Sequence, residues 1–78
     1  MKVSHIKKLN KFRERLSAMR DELDTIAGEY RDKFDNASDS WQQSEKGIVT
    51  DNEVEVLEQA AADVESAESA IANAIEFN

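Results

Sequence analysis

Residues 9–30 read LNKFRERLSAMRDELDTIAGEY, and the spacing of their apolar members decides the fold class. Leu9, Phe12, Leu16, Met19, Leu23, Ile26 and Tyr30 follow one another at alternating steps of three and four. That is a heptad a/d seam held for three repeats, and it predicts a helix that packs along its length on another helix. Ser4 is the expected N-cap, and Ile6 continues the stripe backward. Gly28 falls on the solvent side, where it costs roughly 1 kcal/mol relative to alanine without ending the helix.

After Tyr30 the next apolar residue is Phe34, one place off register. Asp35-Asn36-Ala37-Ser38-Asp39-Ser40 follows, rich in short polar side chains that compete for backbone hydrogen bonds and favour caps and turns. A break is therefore expected here. Ser38 or Ser40 would cap a short helix through Lys46, with Gly47 as its C′ residue and Lys46 complementing the dipole. A helix running unbroken to Lys46 is the alternative. It would leave about 16 residues without a partner, so the break is preferred.

Thr50-Asp51-Asn52-Glu53 has the form of a capping box, with Val49 and Val54 placed as a hydrophobic staple. It predicts a second long helix beginning at about residue 51. Its stripe is Val54, Leu57, Ala61, Val64, Ile71 and Ile75, interrupted by Glu68 at an a position. Ala60, Ala67 and Ala74 recur beside it and allow close helix approach. This helix is expected to end near Glu76, after about 26 residues or roughly 40 Å.

The fold expected is all-α: an antiparallel two-helix hairpin with helices at about 4–36 and 51–76 and a short helical bend at about 39–46. It forms one domain, residues 1–78. Seventy-eight residues make a marginal core, and the chain has no cysteine for disulfides. Self-association into a four-helix bundle, a homodimer of hairpins, is the expected source of further burial.

The formal net charge of −7 is unevenly spread. Residues 1–20 carry seven basic side chains against Glu14 alone, whereas residues 47–78 carry eight carboxylates and no lysine or arginine. In an antiparallel hairpin, Lys8, Arg13, Arg15 and Arg20 would flank Glu65, Glu68 and Glu76, pairs worth about 0–1 kcal/mol each. Two other uses of the charge are open. Lys2, Lys7, Lys8 and Lys11 oppose the helix dipole and could meet an acidic surface. Nucleic acid is disfavoured, since the rest of the chain repels phosphate and no aromatics are interleaved for stacking. Conversely, Asp51, Glu53, Glu55, Glu58, Asp63, Glu65 and Glu68 could imitate a row of phosphates, although an ordinary solvated face is the simpler reading.

Nothing in the sequence recommends catalysis, a cofactor or a metal. His5 is the only imidazole and has no Ser–carboxylate arrangement beside it. No phosphate loop, EF-hand loop or Glu-x-x-His motif is present. The longest apolar run is Ala60-Ala61-Ala62, too short to span a membrane, and no secretory signal opens the sequence. A cytoplasmic protein is expected. Trp41, alone among polar neighbours, is read in two ways. Its ring either closes the bundle end over Phe34, Ile48 and Val49 or anchors a partner, as tryptophan does in interface hot spots. Phe77 invites the same pair of readings.

Phe34-Asp35-Asn36 with Ser40-Trp41-Gln42-Gln43-Ser44-Glu45-Lys46-Gly47 resembles a segment of uncharacterised small acidic helical proteins of bacteriophages and bacterial mobile elements. Those proteins are similar in having a basic amphipathic first helix and an acidic, Ala-rich second one. The resemblance implies a phage origin and action by binding a host protein, including components of defence systems, in the bacterial cytoplasm. The candidate partner-binding residues are Trp41, Phe34, Gln42 and Glu45 at the bend, Lys7, Lys8 and Lys11 on the basic start, and Glu55 and Glu58 on the acidic face. A non-enzymatic modulator or inhibitor is the leading expectation. The alternatives are a DNA mimic acting through the second helix and a purely structural dimerisation unit.

Overall fold

A computed structural model describes residues 1–77. Three helices follow one another: α1 (Val3–Asp35), α2 (Asp39–Gln42) and α3 (Glu45–Glu76). No strand occurs among the described residues. α1 and α3, of 33 and 32 residues, pack against each other as an antiparallel hairpin, with α2 in the bend between them. The molecule is a rod of 58 × 15 × 13 Å.

The first helix ends where the polar run 35–40 requires it to. Asn36 N–H bonds the Asp32 carbonyl at 3.0 Å and Ala37 N–H bonds the Phe34 carbonyl at 3.2 Å, the tightening of a final turn. At its other end the N-cap is Lys2 rather than Ser4, and no side chain caps it. A shift of one or two residues at a fraying end is ordinary.

The start of the second arm corrects the sequence reading. Ser44, not Thr50, is the N-cap of α3, and its hydroxyl accepts from Gly47 N–H at 3.2 Å. Glu45 then places a carboxylate in the first turn, where the dipole favours it. Thr50 lies inside the helix, and its hydroxyl donates to the Lys46 carbonyl at 2.8 Å. Lys46 and Gly47 therefore belong to the first turn of α3, and the bend helix stops at Gln42.

The physical reason lies in the seam itself. Gly47, Thr50, Val54 and Ala61 are all buried, and they extend the three/four spacing of Leu57, Val64, Glu68, Ile71 and Ile75 back to residue 47. Starting at Ser44 adds six residues of helix and buries two more small residues, Gly47 against the backbone of α2. The capping-box pattern at Thr50 is sterically competent but loses to that packing.

Arg20 Nη1 donates to Glu68 Oε2 at 3.2 Å across the two arms. Eight residues back from Arg20 is Phe12, and eight on from Glu68 is Glu76. The turns of α1 before Phe12 thus project beyond the end of α3. Counting the other way brings Ala27 level with Ala61 and Phe34 level with Val54. Ala27, Ala61 and Val54 are among the most buried residues, at 4%, 6% and 0% exposure. Small residues meet at the middle of the rod, and the one sizeable, fully enclosed side chain lies near the bend.

Candidate protein-binding surface

Two helices of this length share only one line of contact, and α1 does not use its whole seam for it. The contact runs along Leu16, Arg20, Leu23, Ala27, Arg31 and Phe34, all half-buried or buried. Phe12, Met19, Ile26 and Tyr30, read from the sequence as core, are 44%, 52%, 42% and 39% exposed. On a helical wheel they lie roughly 80° from the contact line, on one side of the hairpin. α1 is rotated because an apolar face three residues wide is broader than a single neighbouring helix can cover.

On the same side, α3 presents Val49 and Val56, 48% and 68% exposed. Between the arms they form a shallow groove of about 540 Å³ with Ile26, Tyr30, Asn52, Glu53 and Leu57. Further along, Ala60 and Ala67 continue the face with small side chains. One flank of the rod is thus apolar for most of its paired length. Scattered exposed apolar residues are normal, but a contiguous patch of this extent marks an interaction surface.

The opposite flank is polar and carries further ion pairs between the arms. Arg31 reaches Asp51 and Glu58, each at 3.6 Å, near the bend. Arg20 also approaches Asp21 at 3.8 Å. Arg20 and Glu68, at 28% and 18% side-chain exposure, lie within the contact itself rather than along its edge. Lys8, Arg13 and Arg15 make no ion pair with α3 among the described residues, contrary to the flank pairing expected. Lys8 lies past the end of α3, and Arg15 is on the outer side of α1.

The bend is held by its own side chains. Ser38 caps α2 by accepting from Trp41 N–H at 3.3 Å. Gln42 Nε2 donates to the Phe34 carbonyl at 2.8 Å, as a second bond beside that from Ala37 N–H, and to the Ala37 carbonyl at 3.4 Å, tying the bend to the end of α1. The Ser44 hydroxyl donates to the Trp41 carbonyl. Trp41 is half-buried and meets Phe34 edge-on, with ring centroids 6.4 Å apart. Lys33 Nζ lies 5.8 Å over the indole. Of the residues expected beneath the ring, Phe34 is there, whereas Ile48 is 54% exposed because the earlier start of α3 turns it outward.

Gly47 explains how the chain turns so tightly. A Cβ built on it would sit 2.1 Å from the Trp41 carbonyl oxygen and 2.6 Å from that of Gln42. Only hydrogen fits where α3 crosses the backbone of α2. Gly28 meets nothing within 4 Å.

The nine candidate residues fall into three separate patches. Trp41, Phe34 and Gln42 cluster at the bend, with Glu45 exposed beside them at the head of α3. Gln42 is occupied in closing α1, so its role there is structural. Lys7, Lys8 and Lys11 are exposed on the projecting turns of α1. Glu55 and Glu58 are exposed on α3, about 30 Å along the rod from its far end. Glu58 is partly neutralised by Arg31, as Asp51 is, which weakens any regular row of charge.

Sequence reasoning missed the residues of the apolar flank. Val49 and Val56 were its available signal, since neither fits the α3 stripe and both are large and apolar. Among the described residues no three His, Asp or Glu side chains are grouped as a metal ion requires, and no helix is long and apolar enough to cross a membrane. No protein family, curated protein or solved structure matches the chain.

Proposed function

We propose that this chain is a non-enzymatic protein-binding module, phage-derived, that modulates or inhibits a host protein in the bacterial cytoplasm. The observation that carries the protein-binding part of the reading is the apolar flank. Six large apolar side chains (Phe12, Met19, Ile26, Tyr30, Val49 and Val56) stand 39–68% exposed on one side of the rod. Only another protein surface would remove them from water. The phage origin and the host target rest on the resemblance of residues 34–36 and 40–47. At the bend, Trp41 offers a half-buried aromatic surface, met edge-on by Phe34 and with Lys33 over its ring, and tryptophan is a residue favoured in interface hot spots.

Affinity capture from bacterial lysate, with the tagged wild-type chain beside Trp41→Ala, tests the reading. A specific host protein retained by the wild type and lost with Trp41→Ala is the expected result. Retention of nothing but the chain itself would return a structural dimerisation unit instead.

A further inference from the structure

The apolar flank has a shape as well as an extent. Its α1 half is large, carrying Phe12, Met19, Ile26 and Tyr30. Its α3 half is small beyond Val56, carrying Ala60 and Ala67. The Arg20–Glu68 pair fixes how these halves are staggered. By that count Met19 is level with Ser69, Ile26 with Ala62 and Tyr30 with Glu58, so Ala67, Ala60 and Val56 of the flank lie two residues, about 3 Å, along the rod from those levels. Met19, Ile26 and Tyr30 therefore each have a smaller flank residue within about half a turn of their level on the other arm.

We infer that the occupant of this flank is a second copy of the chain, turned about a two-fold axis parallel to the rod, so that α1 of each copy lies on α3 of the other and both bends share one end. This deepens the protein-binding reading and rests on it.

Three observations select this arrangement. The first is area. From their exposures, the six large residues present roughly 500–600 Å² of surface per copy, since such side chains bury some 150–250 Å² each when fully enclosed. Two copies together then approach the roughly 1,200–2,000 Å² total of a specific interface before the alanines and the rim are added.

The second is fit. A two-fold axis along the rod keeps levels matched between copies, so Met19 of one copy lies within about 3 Å of the level of Ala67 of the other, and large residues enter the low ground beside the small ones. Interlocking of this kind is what helix bundles use. An end-to-end arrangement would stack large side chains on large and alanines on alanines.

The third is charge. Seven of the eight charged side chains in residues 1–20 are basic, and residues 47–78 carry eight carboxylates with no base. Setting α1 against α3 brings Arg13, Arg15 and Arg20 of one copy level with the end of α3 that carries Glu68 and Glu76 of the other. Setting α3 on α3 would face the two acidic arms with each other, a repulsion that suppresses wrong pairings.

The absence of cysteine makes the test direct, because Ser40→Cys introduces a single attachment point on the exposed bend. Spin labels there should give a pulsed-EPR distance of roughly 15–35 Å in the dimer, as neighbouring bundle helices lie 8–10 Å apart and the labels add their linkers. A distance near the 58 Å length of the rod would mean bends at opposite ends and would overturn the arrangement. A monomer by sedimentation, without dipolar coupling, would overturn the second copy as occupant. It would leave the protein-binding reading to the lysate experiment, which Trp41→Ala addresses separately. Ala67→Phe adds bulk to an exposed site of the single chain and should weaken the dimer about tenfold or more, since overfilling a packed contact costs that much. An unchanged dissociation constant would also overturn the inference.

Discussion

Gly28 and Gly47 both lie inside long helices, so helix propensity alone says that alanine at either position should stabilise by about 1 kcal/mol. The structure separates them. At Gly28 the added methyl enters open space, and Gly28→Ala should gain about 0.5–1 kcal/mol, partly by restricting the unfolded chain. At Gly47 the methyl would lie 2.1 Å from one backbone oxygen, 2.6 Å from a second and 2.8 Å from a backbone carbon. Ordinary contact needs more than a further ångström, and backbone cannot swing aside as a side-chain tip can. Overpacking of this kind costs about 1–3 kcal/mol or more, so with the propensity gain subtracted Gly47→Ala should lose about 2 kcal/mol. Urea denaturation followed by circular dichroism, at one fixed protein concentration, measures both differences. Equal stabilisation by the two substitutions would refute the crossing of α3 over α2 at Gly47.

Two further pairs of variants test the packing. Ser44→Ala should cost about 1 kcal/mol as a lost N-cap, while Thr50→Val should change stability by less than about 0.5 kcal/mol because its hydroxyl serves only its own helix. The reverse order in thermal denaturation would place the helix start at Thr50. Arg20→Met should destabilise by about 1–3 kcal/mol by stranding the Glu68 carboxylate, one of whose oxygens is already buried without a hydrogen bond. Combining it with Glu68→Leu should recover that loss or exceed it, and denaturation that shows simple additivity would dismiss the pair as a unit.

The hairpin was legible in the sequence because it rests on periodicity that no tertiary detail contradicts. Leu16 and Leu23 face the second arm as their spacing says, and the polar run after Phe34 ends the first helix. Two things were not legible. The capping signals at Ser44 and Thr50 are both chemically sound, and only the burial of Gly47 and Thr50 chooses between them. Gly47 carries the wrong message in sequence, because glycine also ends helices, and here it admits a neighbouring backbone instead. The second concerns the candidate surface. A three/four stripe tells that Phe12, Met19 and Ile26 seek apolar company, but not whether one helix supplies it to all of them. With a single partner arm α1 rotates toward Arg20 and Ala27, and those side chains are left on the flank. Trp41 was placed correctly beside Phe34, whereas Gln42 holds the end of α1 rather than standing free.

That flank is tested most directly by sedimentation velocity on the wild-type chain and on a Met19→Glu/Ile26→Glu variant. Both substituted positions are exposed in the single hairpin, so the variant should keep its helical circular dichroism. The wild type is expected to sediment at twice the mass of one chain and the variant at one. A wild type that stays monomeric at tens of micromolar, or a variant that associates as well as the wild type does, would contradict the assignment of this flank as the interface.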